Sequence, residues 1–101
     1  MKNLTKTTTK VIHHLYKSRE AMEIADMLDL DCNSMSLGCN GWSLEQLERI
    51  HLAILKSSYS KNQDIEITIK QAKKDWRDVL VSAGFAEDLE AHKLWAEGIG
   101  N

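Results

Sequence analysis

The stretch WSLEQLERIHLAILK constrains the fold most strongly, because it specifies a helix and the residue at which that helix begins. Ser43 and Gln46 have the S-x-x-Q spacing of a capping box, in which each side chain accepts a hydrogen bond from the backbone amide of the other residue. Trp42 and Leu47 have the spacing of a hydrophobic staple, which fixes the angle at which the chain enters the helix. Together these features predict a helix over about residues 44–57.

Behind this cap, apolar side chains return every three or four residues, as they do on the buried side of a helix. They are Leu44, Leu47, Ile50, Ile54 and Leu55. We therefore expect this helix to be the central one, packed between the others.

Further segments have helical periodicity, and proline is absent from the chain. We expect Ser18 and Asp64 to be N-caps, Gly84 to stop one helix and Gly98 to end the last. The predicted helices cover about residues 8–17, 19–29, 65–83 and 86–97.

The segment DIEITIK allows two interpretations. Ile65, Ile67 and Ile69 alternate as they would in a short strand. Ile65 and Ile69 also begin an apolar stripe of helical spacing that continues to Ala83. We favour the helix, because a lone strand would have no partner elsewhere in the chain.

The bulk properties fit one small globular domain. The chain has 101 residues, of which 43% are hydrophobic and 28% charged. It has no run of about 18 apolar residues that could span a membrane and no signal peptide, so we expect a cytoplasmic protein. The sequence thus predicts an all-α, single-domain bundle of four or five helices over residues 1–101, with 1–7 and 99–101 flexible.

The charge pattern argues against nucleic-acid binding, although the N-terminal segment is basic. Net charge is −2, and no Lys or Arg occurs between positions 20 and 48. EAMEIADMLDLD is similar to the first helix of a helix-turn-helix motif, but a recognition helix after it would meet phosphates without positive charge. The basic residues that a nucleic-acid-binding regulator could use are Lys2, Lys6, Lys10, Lys17 and Arg19.

Neither a metal site nor a catalytic motif is indicated. Six residues separate Cys32 from Cys39, whereas zinc sites commonly use two to four. His13 and His14 are adjacent, so on a helix they point about 100° apart. Cys39 has no neighbouring cation that would lower its pKa and make it a nucleophile. We therefore expect no metal, no cofactor and no enzymatic activity.

Three tryptophans stand out in so short a chain. Trp42, Trp76 and Trp95 are all expected to be core residues, but any that is exposed would mark a contact surface. Arg77 follows Trp76 and, on a helix, would point away from it. The candidate interaction surface is Trp76, Arg77 and Trp95.

The segments SLGCNGWSLEQLERIHLAILKS and LYKSREAM resemble a small family of uncharacterised enterobacterial proteins, the YoaC-like proteins. The resemblance implies a compact, mostly helical cytoplasmic protein and assigns no functional residue. With no chemistry-bearing motif present, we expect a non-enzymatic protein-interaction or accessory module that binds a partner protein or itself. The alternative is a nucleic-acid-binding regulator that uses the basic N-terminal segment.

Overall fold

Five α-helices make up the part of the chain that the computed structural model describes, which is residues 4–33, 37 and 42–100. These residues contain no strand, so the expected all-α bundle of four or five helices is confirmed. No helix in this part of the chain is long and apolar enough to cross a membrane. The helices are α1 (Lys6–Leu15), α2 (Ser18–Asp31), α3 (Leu44–Ser60), α4 (Ile65–Ala83) and α5 (Ala91–Gly100).

Helix α3 lies at the centre of the bundle, as expected. Every residue from Ile50 to Leu55 is at most 1% exposed. Because successive helical residues point about 100° apart, six buried residues in a row show that α3 is covered on all sides. It packs most extensively on α4 and also contacts α1 and α5. Leu44, expected in the buried stripe, is instead 49% exposed because it lies in the first turn, outside this covered part.

The predicted capping box at the start of α3 is confirmed. The Ser43 hydroxyl accepts from the Gln46 amide at 3.2 Å, and the Gln46 side chain accepts from the Ser43 amide at 2.9 Å. Trp42 comes just before this cap and packs against the core. Its ring centroid lies 4.7 Å from that of Trp76, so the cap also places an aromatic contact between α3 and α4.

The helical interpretation of DIEITIK is correct. Ile65 and Ile69 are buried whereas Ile67 is 51% exposed, which a strand with all three on one face would not give. Asp64 caps α4 by accepting from the Glu66 amide at 3.0 Å. Gly84 ends α4 with a φ of 81°, in the left-handed region that favours glycine.

Helix α4 is not continuous, contrary to the prediction. Asp75 has non-helical backbone angles, with φ −156° and ψ 97°. Its carboxylate accepts from the Arg77 amide at 3.1 Å, as a capping residue does at a new helix start. The helix is thus interrupted one residue before Trp76, which no periodicity in the sequence indicated.

The predicted ends of α1, α2 and α5 need correction. Thr5 caps α1 by accepting from the Thr8 amide at 3.2 Å, so α1 begins before residue 8. Ser18 is the first residue of α2 and not its cap, because Lys17 holds the cap position without a side-chain hydrogen bond. Gly98 lies inside α5 and does not end it, and Ile99 packs against the core. Flexibility of residues 1–7 and 99–101 stays a prediction.

Gly84 and Gly98 should respond to alanine with opposite signs. Gly84→Ala forces a side chain into the left-handed region and should lower the free energy of unfolding by about 1–2 kcal/mol. Gly98 is helical and exposed, and apart from its chain neighbours and the backbone of its own helix no atom lies within 4 Å of the position that an alanine methyl would occupy there. Gly98→Ala should therefore raise the free energy of unfolding by about 0.5–1 kcal/mol. Urea unfolding of both variants measures this, and changes of the same sign would contradict Gly84 as the left-handed end of α4 or Gly98 as a helical residue of α5.

Candidate functional site

A cavity of about 430 Å³ opens between α3, α4 and the segment that leads into α5. From the α3 side it is lined by Trp42, Glu45 and Arg49, which follow one another at helical spacing and so share a face. Trp76 and Leu80 line it from α4. Its size is in the range of pockets that hold small molecules or single side chains.

Two tryptophans form one wall of the cavity. The rings of Trp42 and Trp76 meet edge to face, with centroids 4.7 Å apart and planes at 77°. Both side chains are half-buried, so each presents apolar surface to the cavity as well as to the core. Such pairs are stabilising beyond the area they bury, by about 0.5–1.5 kcal/mol. The wall is therefore held in place before any ligand arrives.

An ionic cluster forms the rim. Lys93 Nζ lies 3.0 Å from a Glu45 carboxylate oxygen and 3.7 Å from one of Glu90. The hydrogen bond from Lys93 lowers the pKa of Glu45, and the same bond raises the pKa of Lys93. The pair is exposed, so it contributes little to stability, but it ties the first turn of α5 to the first turn of α3.

Arg49 connects α3 to the segment after α4. Its Nη2 donates to the carbonyl oxygens of Phe85 at 2.5 Å and Ala86 at 3.1 Å. Its Nε is buried and has no hydrogen-bond partner. Among the described residues no carboxylate forms an ion pair with Arg49, so the charge of this half-buried guanidinium meets only carbonyl dipoles.

His92 lies in the lining of the same cavity and is only 3% exposed. Neither ring nitrogen has a hydrogen-bond partner, and the ring packs near Phe85 with centroids 6.2 Å apart. Burial lowers the pKa of His92, with Glu48 acting in the opposite direction. The imidazole is therefore neutral near pH 7, with one donor and one acceptor nitrogen unused.

The other buried polar residues of α3 have structural partners away from the cavity. His51 Nε2 lies 2.7 Å from the Cys32 carbonyl oxygen, so this nitrogen carries the proton and donates. Burial lowers the pKa of His51. Burial, with the charge of Asp31, also raises the pKa of the Cys32 thiol to about 12, which keeps it protonated and unreactive. This pair fixes the end of α2 on α3.

The structure separates the three residues of the predicted interaction surface. Trp76 lines the cavity, whereas Trp95 is half-buried against Phe85, with ring centroids 6.1 Å apart, and does not line it. Arg77 is exposed and its guanidinium lies 5.8 Å from the Trp76 ring, although a continuous helix would turn it away. The break at Asp75 accounts for this difference, because Arg77 also contacts the Asp75 carboxylate at 3.3 Å.

The residues weighed as metal ligands are apart from one another. His13 and His14 are exposed on α1, and Cys39 lies outside the described residues. Within the described ranges no three His, Cys, Asp or Glu side chains come together as they would around a metal ion. The expectation of no metal and no cofactor stays a prediction.

Sequence reasoning missed most of this cavity. Arg49 carries a detectable signal, since Trp42, Glu45 and Arg49 are spaced to share one face of the predicted helix. His92 and Lys93 carry no such signal, because their meeting with α3 depends on how the segment after Gly84 folds back. No family model, curated protein or solved structure matches this chain. The resemblance to YoaC-like proteins thus stays a prediction.

Mild acid should destabilise the fold through its buried histidines. Burial lowers the pKa of His51 and His92, so below about pH 6.5 the unfolded chain binds more protons than the folded chain. The free energy of unfolding should therefore fall as pH drops from 7 to 5. In urea unfolding, His92→Leu should reduce this loss of free energy, because it removes one of the two groups that cause it.

His13→Gln, a change at an exposed histidine, is the matched control. Its free energy of unfolding should fall between pH 7 and pH 5 by as much as that of the wild type. The account is contradicted if the free energy of unfolding falls by the same amount in His92→Leu and His13→Gln between pH 7 and pH 5.

Proposed function

We propose that this chain is a non-enzymatic protein-interaction module and that the cavity between Trp42 and Trp76 receives a side chain of its partner. The observation that carries the proposal is the half-buried tryptophan pair facing an open cavity of about 430 Å³. Tryptophan and arginine are the residues that most often dominate binding energy at protein interfaces. Here Arg49 lines the same cavity as both tryptophans.

The surroundings of the cavity support a protein partner. Leu89 lies at its edge and is 69% exposed, which adds apolar surface outside the cavity itself. The charged rim of Glu45, Glu90 and Lys93 borders this apolar area. An apolar centre with a polar rim is the usual organisation of a protein interface.

The non-enzymatic part of the proposal rests on the described titratable groups. A thiol whose pKa is about 12 is a poor nucleophile, and Cys32 is fully buried. His51 uses its protonated nitrogen to hold a backbone carbonyl. Since both groups are committed to packing, we assign them no catalytic role. We also propose a bacterial, cytoplasmic setting, which the free Cys32 thiol and the resemblance to YoaC-like proteins support.

A photo-cross-linking amino acid at position 89, in the full chain expressed in its native cytoplasm, tests this proposal. Position 81 is the control, because Val81 is similarly exposed at 66% and does not line the cavity. We expect one protein to cross-link from position 89 and not from 81. Binding of that purified protein should weaken at least about tenfold in Leu89→Glu and stay unchanged in Val81→Glu.

A cross-linked dimer of this chain would identify the partner as a second copy. The proposal is contradicted if positions 89 and 81 capture the same proteins, or if Leu89→Glu and Val81→Glu weaken binding equally.

A further inference from the structure

Unsatisfied polar atoms are concentrated at the cavity. The described part of the chain has four buried side-chain nitrogen or oxygen atoms without a hydrogen-bond partner. Three of them, Arg49 Nε and both ring nitrogens of His92, belong to residues that line the cavity. Buried polar groups are nearly always paired in folded proteins, so such a cluster indicates a missing partner.

The hydrogen-bonding capacity of these atoms indicates that the missing partner is a hydrogen-bond acceptor. Arg49 Nε–H can only donate, and a neutral imidazole donates from one nitrogen and accepts at the other. If the imidazole takes up a proton, Arg49 Nε–H and one imidazolium N–H can donate to the two oxygens of a carboxylate, while the other imidazolium N–H points away from it. A carboxylate would also supply the ion pair that Arg49 lacks among the described residues, and such charge-assisted bonds are the strong ones.

The protein's own carboxylates near His92 are engaged elsewhere. Glu48 accepts a hydrogen bond from the Thr5 hydroxyl on the α1 side. Glu90 and Glu45 are held at the rim by Lys93. The charged groups that act on His92 are Glu48 and Arg49 from α3, Glu90 from the residue just before α5 and Lys93 from its first turn.

We propose that the cavity binds the C-terminal residue of a partner protein, with its apolar side chain against Trp42 and Trp76 and its carboxylate on Arg49 and His92. This inference rests on the proposed interaction function. A C-terminal residue carries a carboxylate and a side chain on one Cα, which fits an aromatic wall and unpaired donors within one small cavity. The three atoms are sealed from water in the unbound protein, so this binding mode requires both the Arg49 and the His92 side chains to turn a nitrogen toward the cavity.

Nuclear magnetic resonance on the full chain tests this with two matched probes, N-acetyl-L-phenylalanine and N-acetyl-L-phenylalaninamide. They differ only in the carboxylate. The indole N–H signals of Trp42 and Trp76 should shift more on binding than that of Trp95, which does not line the cavity. We expect the acid to bind at least about tenfold more tightly than the amide.

Proton linkage gives a second readout. A bound carboxylate favours the protonated imidazole, so affinity for the acid should rise from pH 8 to pH 6 while that of the amide stays constant. His92→Gln should abolish this pH dependence. Arg49→Gln should remove the preference for the acid, whereas Arg19→Gln, a change at an exposed arginine of α2 that does not line the cavity, should keep it. Since Arg49 also holds the Phe85 and Ala86 carbonyls, His92→Gln keeps the test valid if Arg49→Gln fails to fold.

A third probe separates a C-terminus from a free carboxylic acid. 3-Phenylpropanoate has the ring and the carboxylate without the peptide group, and it should bind more weakly than N-acetyl-L-phenylalanine. Equal affinities for these two acids would overturn the C-terminal assignment. Equal affinities for acid and amide, or shifts confined to Trp95, would overturn the carboxylate site. None of these results changes the cross-linking outcome at position 89. The carboxylate site can therefore be disproved while the interaction function stands, and the reverse is also true.

Discussion

The burial of α3 on all sides is the constraint on which the rest of the structure depends. Six successive residues, from Ile50 to Leu55, are at most 1% exposed. Most of the stability of a helix in a protein comes from tertiary packing, so the helices that cover α3 stabilise it and are in turn placed by it. Helices α4, α1 and α5 contact α3 and cover it.

Because α3 is surrounded, it also buries polar side chains. A buried polar group that has a hydrogen-bond partner within the protein needs no ligand. Ser57 meets the Ser82 hydroxyl at 3.1 Å, and His51 meets the Cys32 carbonyl at 2.7 Å. His51 still leaves Nδ1 without a partner, but Arg49 and His92 depart further from this pattern, because three of their nitrogens are buried without partners. The exception coincides with the cavity beside the two tryptophans, which is why we assign binding to this place and structural roles to the other buried polar groups.

The sequence specifies local structure here better than it specifies the site. The capping box at Ser43, the cap at Asp64 and the stop at Gly84 were predictable because each depends on a few neighbouring residues. The break at Asp75 was not predictable, since an aspartate between helical residues is compatible with an unbroken helix. The pairing of Lys93 with Glu45 joins residues 48 positions apart, so it follows from tertiary packing alone. Trp76 could be singled out from the sequence, but its neighbours in the cavity depend on how the chain folds.

Native-state hydrogen exchange tests the central position of α3 most directly. If α3 is covered on all sides, the amides of residues 50–55 can exchange only when the whole protein unfolds. Their opening free energies should then equal the free energy of unfolding measured in urea and be the highest in the chain. Amides in 50–55 that open at a lower free energy than those of α2 would show that α3 can expose itself within the folded protein, and would contradict this account.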